Sequence, residues 1–179
     1  MKDYTINYRI EFFSNWHCGS GLAAGADTDA LVIKDKDGLP FIPGKTVKGL
    51  IRQAVTEISA LTGTRFDALA VLGDEGGIQS PLFFSNAVLA EADTIVRNRL
   101  QPYLFSAVAN TAIDKDGIAA DKSLRRTEVV IPCCLEGSIT GIPNAEDRDV
   151  ISQSLAYIKN IGLHRNRGLG RCAITVKEG

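Results

Sequence analysis

Lys45, Lys48 and Arg52 fall at i, i+3 and i+7, a spacing that places three cations on one face of a helix. Two of them lie in the first turn that the pattern allows, where unpaired N–H groups already carry partial positive charge. A bound anion relieves that conflict, and the exposed amides help to hold it. A second cluster lies near the end of the chain. Leu163-His164-Arg165-Asn166-Arg167-Gly168-Leu169-Gly170-Arg171 sets three arginines and a histidine among glycines. Glycines free the backbone to wrap an anion, and a merely structural turn needs no such charge. Lys122, Arg125 and Arg126 add a third group of cations. The chemistry on offer is polyanion binding; for the helix alone, a solvated surface face is the competing reading.

Two tempting sites fail on spacing. Gly44-Lys45-Thr46 looks like the end of a phosphate-binding P-loop, but Gly38 precedes Gly44 by one residue too many. Pro40 and Pro43 also stiffen the loop, so nucleotide hydrolysis is excluded. The four cysteines (Cys18, Cys133, Cys134 and Cys172) make no CxxC pair. Adjacent Cys133 and Cys134 chelate poorly, which points to reduced structural thiols and a cytoplasmic location.

These clusters need a scaffold. A chain of 179 residues, 45% hydrophobic and 23% charged, fits a single domain over 1–179 with a real core. It holds no apolar run near the ~18 residues of a membrane span. Its net charge of −1 requires that any polyanion site be a local patch. Tyr4, Ile6, Tyr8, Ile10 and Phe12 alternate with polar residues and predict a half-buried strand. A long loop over 14–30 follows, rich in small residues and carrying His17, Cys18, Asp27 and Asp29.

Val47, Leu50, Ile51, Ala54, Val55, Ile58 and Leu61 then form one apolar helical face. Pro81–Phe84, extended by Ala87–Leu89, reads as a buried strand. Between Arg97 and Leu124 the pattern is poor, except for the turn Asp114-Lys115-Asp116-Gly117. Glu128–Ile131 and the stretch around Ile139 read as two strands of a protruding hairpin, with Lys122, Arg125 and Arg126 at its base. Asn144 is placed to cap a second helix whose core face is Val150, Ile151, Leu155, Ile158 and Ile161, ended by Gly162. A strand over Cys172–Val176 closes the chain. The expected fold is α+β, a ferredoxin-like (RRM-like) βαββαβ core with a β-hairpin insertion at about 105–142 and a C-terminal glycine-rich loop.

The same residues resemble a known family. Asp29-Ala30-Leu31-Val32-Ile33-Lys34-Asp35, followed by Gly38-Leu39-Pro40-Phe41-Ile42-Pro43-Gly44-Lys45-Thr46-Val47-Lys48-Gly49, is similar to the D-x-x-V-I-K-D … G-x-P-x-I-P-G-S-S-L-K-G segment of the RAMP superfamily. More narrowly it resembles the repeated backbone subunits of type III CRISPR effector complexes. Val71-Leu72-Gly73 with Leu82–Ala87 resembles the L-F-G … L-x-F-S-D-A stretch, with Asn86 where aspartate is usual. Ala112–Ala119 resembles the x-I-D-R-x-T-G-x-A turn, and Ile161–Arg171 the terminal glycine loop. Lys45-Thr46 replaces two serines, and Arg125 replaces an aromatic residue.

The resemblance implies an RNA-binding subunit for antiviral defence. Its partners would be a guide RNA (crRNA), a target RNA, other effector subunits and several copies of itself or of related subunits. It implies that Lys45, Lys48, Arg52, Lys122, Arg125, Arg126, His164, Arg165, Arg167 and Arg171 contact RNA. The insertion would be the family's thumb, which wedges between guide and target. It further implies metal-dependent endoribonuclease action on target RNA, with Asp29 (Asp27 as second choice) helping a transient Mg²⁺ or Mn²⁺. An inactive capping subunit of the same complex is the alternative. A less favoured one is guide-RNA processing with His17 as general acid or base.

Overall fold

The computed structural model describes residues 3–22, 28–63, 66–73, 79–111, 118 and 124–177. In chain order the elements are β1 (Tyr4–Phe12), α1 (Gly44–Thr62), α2 (Ala68–Leu72), β2 (Phe83–Phe84), β3 (Val88–Leu89) and α3 (Ala92–Arg97). Then come β4 (Phe105–Asn110), β5 (Arg125–Val130), β6 (Cys134–Ile142), α4 (Ala145–Tyr157) and β7 (Cys172–Lys177). Asp27, Lys122 and the Asp114–Gly117 turn lie outside the described residues.

The alternation of β1 does what its period demands: Ile6, Tyr8, Ile10 and Phe12 are buried, while Asn7, Arg9 and Glu11 are exposed. Fully burying each isoleucine contributes about 1.5–3 kcal/mol, which fixes the strand's facing. β1 pairs antiparallel with β6 on one side and β7 on the other. β2 and β3 both pair with the far side of β6, giving the order β2-β6-β1-β7. A first strand lying between the last two, with helices α1 and α4 packed on each other and on the sheet, is the split βαβ arrangement. The ferredoxin-like core is the fold. Among the described residues no helix is long and apolar enough to cross a membrane.

Several local expectations change. The strand around Ile139 does not pair with 128–131. It is β6, a central strand, and Leu135, Ile139 and Ile142 on it are fully buried. β5 pairs instead with β4, from Phe105↔Val130 to Asn110↔Arg125. β4 was hidden because it buries no residue fully, so its alternation is faint. The expected single strand over 81–89 is broken into β2 and β3, and Phe83 is exposed rather than buried.

The helices follow their caps. Asn144 Oδ1 accepts the Asp147 amide at 2.8 Å, as its position before α4 predicts. The helix nonetheless stops at Tyr157 instead of running to Gly162. Ile158 and Ile161 are still buried, but from an extended segment whose amides serve other partners. α1 ends at Gly63, whose φ of 71° closes the helix in the left-handed conformation. Its apolar face buries Val47, Ile51, Ala54 and Val55, whereas Leu61 in the last turn is exposed.

Candidate nucleic-acid interface

α1 begins without help from its own neighbours. Pro43 at its N-cap offers no side-chain bond, and the first turn holds no acid. The missing acceptor arrives from the turn between β2 and β3, where Asn86 Oδ1 takes the Gly44 amide at 3.0 Å. Gly44 has to be glycine, because a Cβ there would run into the Phe84 carbonyl. Lys45 is exposed and Lys48 half-buried; neither takes part in an ion pair among the described residues. Arg52 differs. Its Nη2 donates to Leu72 O at 3.0 Å and Gly73 O at 2.7 Å, covering the last carbonyl of α2 and that of the residue after it. The basic stripe is therefore two lysines facing outward and one arginine tied to a neighbouring helix end.

The glycine loop is built from backbone bonds and turns its charge outward. Ile161 N donates to Gly170 O at 2.9 Å and Cys172 N to Lys159 O at 2.9 Å, which closes the loop at its neck. Leu163 N donates to His17 O at 3.0 Å and Gly170 N to Asn15 O at 2.7 Å, which seats it on the 13–17 segment. Gly162 (φ 98°) and Gly170 (φ 71°) are both required, since a Cβ would strike the carbonyls of His17 and Ile161 respectively. Arg165–Arg167 form one 3-10 turn entered through His164 at φ 57°. Arg165, Arg167 and Arg171 are exposed and His164 is half-buried. A cleft of about 270 Å³ separates α1 from this loop, lined by Gln53, Glu57, Tyr157, Asn160, Arg165 and Asn166 among others.

His17 stands behind the loop. It is only 2% exposed, and its Nδ1 lies 2.6 Å from the Glu128 carbonyl. Facing a carbonyl, that nitrogen must carry the proton. Its burial makes it a link between the glycine loop and β5, not a group presented to a bound polymer. Cys133 is half-buried; burial pushes its thiol up to about 11, next to the Trp16 indole, so the free thiol is protonated at neutral pH.

Asp29 lies where the 28–34 segment runs beside β5. Ala30 bridges Thr127 in parallel, Asp29 N donates to Arg126 O at 2.8 Å, and Glu128 N donates to Ala30 O at 3.0 Å. Both Asp29 oxygens are engaged. Oδ2 accepts the Arg126 amide at 2.7 Å and Oδ1 accepts Arg125 Nη1 at 2.9 Å. The Arg126 amide first, then the Arg125 guanidinium, hold the carboxyl below its ordinary range. Arg126 is exposed. Glu128 continues the seam, accepting the Val32 amide at 2.9 Å and Lys34 Nζ at 2.8 Å, while Lys34 sits 3.9 Å over the Phe105 ring.

The described residues hold no group of three or more His, Cys, Asp or Glu side chains placed for a metal. A lone carboxylate already paired with a guanidinium does not fit a resident cation. Sequence reasoning missed Asn86, Lys34 and Glu128 as residues that shape the site. Asn86 carried a signal, being a capping type of residue in a turn. A glutamate in a strand pattern carries none.

The sequence matches the model of the RAMP superfamily over residues 9–173. A comparison with curated proteins finds no match. Among solved structures, the chain is similar to a chain of the type III-B Cmr-beta complex bound to cognate target RNA, seen by cryo-electron microscopy. The TM-score is 0.75 at 12% identity, covering 97% of both chains. A chain of the same complex in the apo state gives a TM-score of 0.75 at 14% identity, covering 98% of both. At such identities the likeness is one of fold.

Proposed function

The chain belongs to the RAMP superfamily, and on that basis we propose that it is a guide-RNA-binding backbone subunit of a type III CRISPR effector complex, acting in antiviral defence. The observation that carries this reading is the glycine loop. Its inward bonds are spent on backbone, and Arg165, Arg167 and Arg171 are left exposed. Together with Lys45 and Lys48 they supply the local cations that a phosphate backbone needs, in a molecule of net charge −1. End-to-end likeness to chains of the Cmr-beta complex, one of them bound to target RNA, supports the same assignment. Other effector subunits and further copies of this chain are its proposed neighbours, and the β4–β5 hairpin is the proposed thumb.

The finer reading is cleavage of target RNA at Asp29, with Asp27 as second choice. Any Mg²⁺ or Mn²⁺ would arrive with the RNA phosphates, since the described residues hold no group of three or more side chains placed for a metal. The competing reading is an inactive capping subunit with the same basic surfaces. Guide processing by His17 is disfavoured by its burial.

The test is purification from cells expressing the genomic neighbours, followed by sequencing of the RNA that co-purifies. Short RNAs with one fixed repeat-derived end and variable spacers are expected. No RNA, or random cellular fragments, would remove the assignment. Target cleavage by Asp29→Ala complexes then separates the nuclease from the cap.

A further inference from the structure

Asp29 is held by two bonds of unlike kind. One is part of a main-chain seam: Arg126 N to Oδ2, with Asp29 N to Arg126 O beside it, continued by the Ala30 and Thr127 bridge. It cannot open without unzipping the 28–34 segment from β5. The other is a single side-chain contact from Arg125, whose side chain is 70% exposed, to an Asp29 side chain 39% exposed. Water screens such a pair, so it is weak and exchangeable. A guanidinium is also a planar fork that matches phosphate oxygens in pairs.

We propose that Arg125 is a latch with two alternative partners: it covers Asp29 Oδ1 in the RNA-free chain and leaves it for a phosphate when RNA binds. This rests on the RNA-binding reading above. The exchange alters one atom only. The Arg126 amide keeps Oδ2 and the Asp29 backbone in place, while Oδ1 loses its donor and the carboxylate loses its neutralising neighbour. Asp29 thus gains a free oxygen and an unmasked charge only when a phosphate occupies Arg125. Arg125 is a positioning residue in this scheme, acting through Asp29.

The test is a double-mutant cycle of Asp29→Asn and Arg125→Gln, read as affinity of the full chain for a labelled single-stranded RNA at fixed salt. If Arg125 must give up Asp29 to bind phosphate, Asp29→Asn tightens binding by about two- to fivefold. Arg125→Gln weakens it, and Asp29→Asn then brings no gain in the Arg125→Gln background. Equal gain in both backgrounds would reduce Asp29 to a plain repulsive charge and overturn the latch. No gain, or a loss, in the Arg125 background would mean that the guanidinium serves both partners at once, which also overturns it. Arg125→Lys, which retains charge but not the fork, replaces Arg125→Gln if the latter unfolds. Failure of every form, wild type included, to bind RNA would instead remove the RNA-binding reading, and the latch with it.

Discussion

Asn86 caps α1 from 42 residues away, its Oδ1 accepting the Gly44 amide at 3.0 Å. The helix that carries Lys45 and Lys48 is thereby tied to the turn between β2 and β3. Replacing Asn86 by alanine should cost about 0.5–2 kcal/mol, the usual loss for a missing N-cap acceptor. Chemical denaturation measures it. An unchanged midpoint would mean that water replaces the cap without loss.

The three positive-φ glycines of the terminal loop should not respond alike. Gly168 (φ 87°) has open space around its Cβ position, so Gly168→Ala should cost only the left-handed strain of about 1–2 kcal/mol. Gly162→Ala and Gly170→Ala carry that strain and also drive a Cβ into a carbonyl. Both should destabilise the chain more than Gly168→Ala and lower its RNA affinity. Equal midpoints for the three variants in thermal melts would contradict the packing described.

Salt dependence separates free cations from committed ones. Arg165→Ala and Arg167→Ala should each weaken RNA binding and reduce the slope of log affinity against log salt by about 0.7, the value for one phosphate contact on a single strand. Arg52→Ala should leave that slope nearly unchanged and lower stability, because its guanidinium is tied to Leu72 and Gly73. A slope change for Arg52→Ala as large as for Arg165→Ala would place Arg52 on RNA after all.

Acid should loosen the 28–34 segment. The Arg126 amide, then Arg125, lower the Asp29 carboxyl below its ordinary 3.8. A folded-state value below the unfolded one means a stabilising contribution that is fully present above the ordinary value. It is lost as pH falls through the lower folded value. Asp29→Asn should therefore be less stable than wild type at neutral pH; the difference should begin to shrink below about pH 4 and vanish only below the lowered folded-state value. Parallel stability curves across that window would rule out the pairing as a source of stability.

Much of this molecule is written locally. The alternation from Tyr4 to Phe12, the apolar face from Val47 to Val55, the cap at Asn144 and the arginine-rich loop after Gly162 each depend on neighbours a few residues away. Periodicity and residue type report them directly. The family motifs are legible for the same reason, being short runs such as Gly44-Lys45-Thr46-Val47-Lys48-Gly49.

What tertiary structure alone decided is the partner of each group. Asp29 and Arg125 are 96 residues apart in sequence, and neither residue's surroundings announce the other. Arg52 shares a helical face with Lys45 and Lys48, yet the end of α2 folds back onto it and takes its charge inward. β4 carries too little burial to declare itself and exists because β5 supplies its hydrogen bonds. Beyond the end of α4 at Tyr157, the Ile161 amide goes to the Gly170 carbonyl and the Lys159 carbonyl accepts from the Cys172 amide, long-range partners in place of helical ones. Sequence patterns record which face of an element is apolar; which distant donor meets which acceptor is settled only when the packed chain must satisfy its polar groups all at once.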